Sequence, residues 1–168
     1  MDKYKDKSEE EIKIDLQKTS HPCAVLFENW ISDFNLSQGI RNCNGFNISK
    51  VYYIGNRKID KRGAVGSMNY TDVQWLSSMS ELETLKDQYT FIGVDNVPGS
   101  IPMEPYIYPS SPLLCFGEES TGLTPGLQAK CKDIIHISMF GSIRSFNCGT
   151  ASGITLYDFV SKYRAKQF

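Results

Sequence analysis

The sequence predicts an α/β domain built on a mostly parallel sheet with helices on both faces. Three observations carry this. Strand-like apolar runs alternate along the chain with helix-like patterns. The first such run, Cys23 to Phe27, is apolar without alternation, as a strand covered on both faces requires. The chain's 168 residues suffice for one domain with a sizeable core.

Taken in order, Asp2 to Gln17 is rich in Lys and Glu, with Ile12, Ile14 and Leu16 as its aliphatic anchors. It reads as a solvated helix or loosely held arm, capped at Ser8. His21-Pro22 breaks the pattern, so residues 1–20 form a charged arm and 21–168 the main domain. After the first strand, Asn35 is suited to cap a helix that carries Ile40, Cys43 and Phe46 at near-helical spacing. Val51 to Ile54 is a second strand, closed by Gly55. A polar segment with Arg57, Lys58, Lys61 and Arg62 follows, and a helical pattern covers about Ser80 to Gln88. Thr90 to Val94 is the third strand. The stretch from Pro98 to Pro112 holds five prolines and cannot be interior strand. Leu113 to Phe116 and Ile134 to Ile137 complete the strands, with Pro125 placed for the first turn of a short helix between them. The last helix begins near Cys148, with Gly153, Leu156, Tyr157 and Val160 as its stripe.

Composition narrows the function. A formal charge of −1 excludes a uniformly basic RNA-coating protein, so any RNA contact requires a local positive patch. Neither a membrane-length apolar run nor a signal-peptide core is present, and a cytoplasmic protein is expected. The five cysteines (Cys23, Cys43, Cys115, Cys131 and Cys148) include no CxxC, and His21 and His136 lie far apart. Reduced, mostly buried thiols are expected, without a metal.

Three runs in the back half carry the chemistry. A strand leading into Gly117-Glu118-Glu119-Ser120-Thr121-Gly122-Leu123 makes a Gly-x-Glu-x-x-Gly turn at the carboxyl end of a sheet strand, where open α/β sheets bind ligands. Gly117 lets backbone approach a ligand, and Glu118 is read as the carboxylate beside it. The plain alternative is a strand-to-helix loop whose acids favour a helix N-terminus. Ile137-Ser138-Met139 then ends a strand, and a glycine-containing loop returns through Arg144 to Ser145-Phe146-Asn147 at a helix start. There the plain alternative is an N-cap. Upstream, Asn35 and Arg41 read equally as a cap followed by a solvated arginine.

In order and spacing, Asn35-Leu36-Ser37 with Arg41, the Gly117 run, Ile137-Ser138-Met139 and Ser145-Phe146-Asn147 resemble the SpoU/TrmH branch of the SPOUT methyltransferases, from about Pro22 to Phe159. The resemblance implies a C-terminal trefoil knot, which spacing alone does not. It implies transfer of a methyl group from S-adenosylmethionine to a ribose 2′-hydroxyl of RNA, tRNA before rRNA, by a homodimer packed through its knot regions. By position it implies cofactor contacts at Gly117, Ile137 and Phe146, with Leu114, Met139 and Val94 as further walls. It also implies a polar reaction surround of Arg41, Asn35, Glu118, Ser145 and Asn147, with no metal. Arg57, Lys58, Lys61 and Arg62 are the candidate RNA-phosphate contacts. Three positions depart from the family pattern: Ser138 replaces proline, Phe146 leucine and Asn47 glycine. The departures at Ser138 and Phe146 motivate one rival, a catalytically silent RNA-binding relative. A second rival is base methylation by another SPOUT branch.

Overall fold

The computed structural model describes residues 3–29, 31 and 34–166. Asp2, where the charged segment begins, lies outside them. The elements are α1 (Glu9–Thr19), β1 (Ala24–Asn29), α2 (Phe34–Gly45), β2 (Lys50–Gly55), β3 (Asp72–Leu76), β4 (Thr90–Val94), β5 (Ile101–Pro102), β6 (Pro112–Phe116), α3 (Pro125–Gln128), β7 (Asp133–His136) and α4 (Cys148–Ala165), with short 3-10 turns between β2 and β4. The strands form one parallel seven-stranded sheet in the order β3-β2-β1-β6-β4-β7-β5.

Alternation along each central strand divides the core into two layers. Val25, Phe27, Val51, Tyr53, Ile92, Leu114 and Phe116 face α2 and α4, where Ile40, Cys43, Leu156 and Phe159 meet them. Ala24, Leu26, Tyr52, Ile54, Phe91, Leu113 and Cys115 face the other way, onto Leu82, Leu85, Leu123 and Leu127. Phe27 stacks on Phe116 with centroids 5.3 Å apart. Each fully buried aliphatic or aromatic side chain here contributes about 1.5–3 kcal/mol. The unbroken apolar run of the first strand follows from cover on both sides.

Two strands escape a sequence reading. Both β3 and β5 are sheet edges, where burial on one face or neither leaves little apolar signal. The proline-rich stretch supplies the two-residue edge strand β5 and, with its last residue Pro112, the first position of β6, the places where strands admit proline. The helical pattern near Ser80 is realised as a 3-10 helix over Met79–Leu85. Asn35 is not a cap: α2 begins at Phe34, so Asn35 sits within its first turn. Tyr157 is not on the buried stripe of α4. It is 66% exposed, while Gly149, Ser152, Leu156 and Phe159 form that face.

The end of α2 explains one departure from the family pattern. Asn47 donates its backbone N–H to the Asn44 carbonyl at 3.1 Å, and Ile48 donates to that of Cys43 at 2.8 Å. These are the paired bonds of a Schellman closure, with Cys43 and Ile48 buried together in the core. The closure needs a left-handed residue at position 47, and Asn47 takes it with φ +53°. After glycine, asparagine tolerates that region best. The Asn47 side chain also donates to Thr19 Oγ1 at 3.0 Å, tying α1 to the body.

Ser8 caps α1 through a full capping box with Glu11, as expected. Cys23, Cys43 and Cys115 are buried, and burial pushes each thiol up from its ordinary value. Cys131 and Cys148 are half-buried. Among the described residues no helix is long and apolar enough to cross a membrane, and no cluster of metal-ligating side chains occurs.

Candidate functional site

The loops leaving β4, β6 and β7 converge at the carboxyl ends of three neighbouring strands and, with the start of α4, enclose a cavity of about 360 Å³. That location is where open α/β sheets bind ligands, and the volume suits a small molecule. Val94, Gly117, Glu118, Ile137, Met139, Ser145 and Phe146 all line it. The runs singled out in the sequence are therefore brought together in space. Leu114 is not on the wall: it is 0% exposed and packs in the core. Phe116, two residues on and facing the same way, stands at the strand's end and lines the cavity instead.

The Gly117 turn owes its shape to close backbone approach. A Cβ on Gly117 would sit 2.0 Å from the carbonyl carbon of Gly122, which no side chain permits. Gly122 has φ +67° and donates its N–H to the Glu118 carbonyl at 2.8 Å. Asp95, just beyond β4, accepts from the Leu123 amide at 2.8 Å and fixes the far side of the turn. Thr124 caps α3 and donates its amide to the buried carboxylate of Glu28 at 2.8 Å. Cys148 reaches across from α4, its Sγ 3.4 Å from the Gly117 carbonyl.

Beside the cavity, three side chains close a hydrogen-bonded ring. Asn35 donates to Glu119 Oε2 at 2.7 Å, and Asn147 donates to Asn35 Oδ1 at 2.8 Å and to Glu119 Oε1 at 3.2 Å. Asn147 also caps α4, its Oδ1 accepting from the Thr150 amide at 3.2 Å. The carboxylate joined to Asn35 and Asn147 is thus that of Glu119, not of Glu118. Strict counting of Gly-x-Glu-x-x-Gly from Gly117 already selects Glu119, and the adjacent acid obscured it. Glu118 instead lines the cavity, its Oε1 buried and without a hydrogen-bond partner among the described residues. A carboxylate in that state calls for a donor or a cation.

Arg41 does not line the cavity. It is exposed on α2, about 9 Å along the axis from Asn35 and a third of a turn around it. Among the described residues no hydrogen bond or ion pair engages its guanidinium, and the Ser145 hydroxyl is equally unengaged. The basic segment packs against α2 through the turn Lys61–Ala64. Arg57, Lys58, Lys61 and Arg62 are all exposed. Two are already engaged: Arg57 lies over the Trp75 ring at 5.1 Å, and Arg62 grips Asp60 with Nε–Oδ1 at 3.0 Å. The Arg62 bonds hold the Asp60 carboxyl down to about 2. Ser138, the second departure, donates to Glu104 Oε2 at 2.9 Å, a bond proline could not make.

Residues that sequence reading did not single out also wall the cavity, including Asp95, Asn96 and His136. Asn96 donates to the Arg144 carbonyl at 3.1 Å, linking the loops after β4 and β7. With Asp95, Glu118 and Glu119 set against Arg144, the lining suits a ligand that carries positive charge beside an apolar portion.

Comparison with known proteins agrees with this geometry. A family model, that of the SpoU rRNA Methylase family, matches residues 22–157. The 23S rRNA (guanosine-2′-O-)-methyltransferase RlmB of Acinetobacter baylyi is 32% identical over 59 residues, a match spanning 35% of this chain and 24% of that relative. Among solved structures, the TrmH/SpoU tRNA modifying enzyme of A. aeolicus superposes with a TM-score of 0.83 at 21% identity, covering 95% of this chain and 84% of that one. The SpoU methyltransferase AviRb of Streptomyces viridochromogenes, in complex with AdoMet, superposes with a TM-score of 0.77 at 21% identity, over 84% and 58% of the two chains. A structure described as giving insights into the 2-OH methylation of C/U34 on tRNA superposes with a TM-score of 0.75 at 18% identity, over 85% of this chain and 97% of that one.

Proposed function

The chain belongs to the SpoU rRNA methylase family, and from that premise we propose that it transfers the methyl group of S-adenosylmethionine to a ribose 2′-hydroxyl of RNA. One observation carries the reading: Gly117 from the turn after β6, and Ile137 and Phe146 from the two ends of the loop between β7 and α4, line one cavity beside the Glu119–Asn35–Asn147 ring.

The cavity fits the cofactor. Its acids match a sulfonium and an ammonium, and the unpartnered Glu118 oxygen matches a ligand that brings a donor. Gly117, Ile137 and Phe146 would hold the cofactor largely through backbone groups, with Val94 and Met139 as walls. When bound, S-adenosylmethionine supplies an electrophilic methyl group. The chain must align the ribose oxygen with that methyl and stabilise the charge the oxygen develops. Alignment alone is worth up to about 7–11 kcal/mol in ideal cases. Arg41 is assigned to the phosphate beside the target ribose, because a guanidinium with a pKa above about 12 is a poor base but a strong anion clamp. The Glu119–Asn35–Asn147 ring fixes the starts of α2 and α4, and Ser145 offers its hydroxyl at the wall. No covalent nucleophile is needed.

The RNA substrate is assigned as tRNA. In support, the A. aeolicus protein described as tRNA-modifying is matched over 84% of its length, and the structure described for C/U34 methylation on tRNA over 97%. The exposed cations Arg57, Lys58, Lys61 and Arg62, carried beside α2, are assigned to its phosphates. The tail from Ile134 to Asn147 is assigned a trefoil knot, and two protomers a homodimer packed through it. Residues 21–168 act as the methyltransferase domain and 1–20 as an accessory arm, in the cytoplasm. Titration calorimetry with S-adenosylmethionine tests the reading: saturable binding at micromolar to submillimolar ligand supports it, and no binding at millimolar ligand contradicts it.

A further inference from the structure

One wall of the cavity begins where the sheet ladder stops. The last register pair of β7 is Pro102 with His136, and Ile137 and Met139, which line the cavity, lie past it. Among the described residues Ile137, Ser138 and Met139 make no backbone–backbone hydrogen bond. A segment with neither ladder nor helix partners opens easily, so its shape must be set by side chains. The Ser138 hydroxyl does this, donating to Glu104 Oε2 at 2.9 Å. Glu104 meets it from a fixed stem. Its neighbour Met103 is buried in the core and donates its N–H to the His136 carbonyl at 2.8 Å. The Met103 carbonyl accepts from Lys162 Nζ at 2.6 Å, and the Tyr106 hydroxyl donates to Asp133 Oδ2, at the start of β7, at 2.8 Å. Its own amide first, then Ser138 and the nearby His136, hold the Glu104 carboxyl below its ordinary value, so the acceptor is ionised at neutral pH. Ionised acceptors make the stronger kind of hydrogen bond. Both partners belong to one chain, so the bond needs no free surface around it.

Resting on the methyltransferase reading above, we infer that Glu104 is a positioning residue: through Ser138 it holds Ile137 and Met139 at the cavity wall in the arrangement that receives S-adenosylmethionine. Glu104 does not itself line the cavity. Its effect therefore falls on cofactor affinity, and the Arg41 side, where the RNA phosphate is assigned, is untouched. Glu104 is exposed and Ser138 half-buried, so replacing either leaves the core intact.

The test compares the full-length protein with Glu104→Ala, Glu104→Gln, Ser138→Ala and the double variant that carries both alanines. Calorimetry reads S-adenosylmethionine affinity, methyl transfer the KM for tRNA, and sedimentation velocity and thermal melts follow assembly and stability. Each single alanine variant weakens cofactor binding about fivefold, and the double variant no further than either. Glu104→Gln, whose amide oxygen still accepts from the hydroxyl, stays within about twofold of wild type. The KM for tRNA and sedimentation are unchanged, and Tm stays within about 2 °C. Wild-type affinity in either alanine variant overturns the inference, as does a Gln variant as weak as Ala. So does a loss of about 25-fold in the double variant, since independent effects multiply. A loss of affinity accompanied by altered sedimentation overturns it too, by assigning the bond to an interface between copies. If the wild type binds no cofactor, the functional reading fails separately. Hydrogen exchange in the peptide spanning Ile137 to Met139 then decides the inference. Exchange about fivefold faster in Glu104→Ala but not in Glu104→Gln sustains it, and equal exchange in all overturns it.

Discussion

The side-chain amide of Asn147 donates to Oδ1 of Asn35 at 2.8 Å across 112 residues of chain, and Glu119 bridges the two. Both ends of each amide are used, so these asparagines act first as a clamp joining α2, the turn after β6 and α4.

Asn147→Ala removes the clamp and the cap together. The unfolding free energy falls by about 1–2 kcal/mol, the usual worth of such a cap, and turnover falls at least tenfold. Asn147→Ser retains a capping oxygen but cannot span to both partners, so stability recovers and turnover does not. Denaturant unfolding beside a methyl-transfer assay checks this, and recovery of both by Ser contradicts the clamp.

Glu118 is held at a cost to the fold, because one carboxylate oxygen is buried without a partner among the described residues. Glu118→Met, similar in shape and apolar, raises the unfolding free energy by about 1 kcal/mol. It weakens S-adenosylmethionine binding at least fivefold. Glu119→Gln behaves in the opposite way, lowering turnover while cofactor affinity stays within a few-fold. Thermal melts and calorimetry on the two variants separate the adjacent acids.

Arg41 is exposed and bonded to nothing among the described residues. Arg41→Ala therefore leaves stability within about 0.5 kcal/mol of wild type and cofactor affinity within a few-fold. Transfer drops at least a hundredfold. Unchanged turnover removes Arg41 from the mechanism.

Asn47 tests the closure of α2. Asn47→Gly is close to neutral, whereas Asn47→Val forces a β-branched residue to φ near +53° and costs about 1–2 kcal/mol or more. Chemical denaturation reads the difference directly.

His21 gives the fold a pH dependence. It packs edge-on against Tyr163 at 5.3 Å, and burial first, then Arg164, lowers its pKa below the ordinary value. Between the lowered folded value and the unfolded one, the unfolded chain binds the extra proton, so stability rises with pH through that window. As pH falls from about 6.5, the ordinary imidazole value, stability declines as His21 is made to charge. His21→Gln flattens that slope, measurable as Tm against pH.

Much of this was legible because central strands of a parallel sheet must be apolar on both faces, which is how Cys23 to Phe27 and Leu113 to Phe116 declare themselves. The edge strand Asp72–Leu76 did not, since Asp72 and Gln74 face solvent and the apolar pattern is diluted. The ring of Asn35, Glu119 and Asn147 was only half legible. Chain order supplies its members, but which of two adjacent acids turns toward Asn35 depends on a turn set by Gly117 and Gly122. Leu114 and Tyr157 were misplaced for a simpler reason. Periodicity names a face of a strand or helix, not how far along it the cavity begins or where packing stops.

The central claim is tested most directly by incubating the purified protein with tRNA and methyl-labelled S-adenosylmethionine, then resolving the digested nucleosides by mass spectrometry. The account expects label on the sugar of a 2′-O-methylated nucleoside, absent from the Arg41→Ala reaction. Label on a base, or none on RNA from a protein that binds the cofactor, contradicts it.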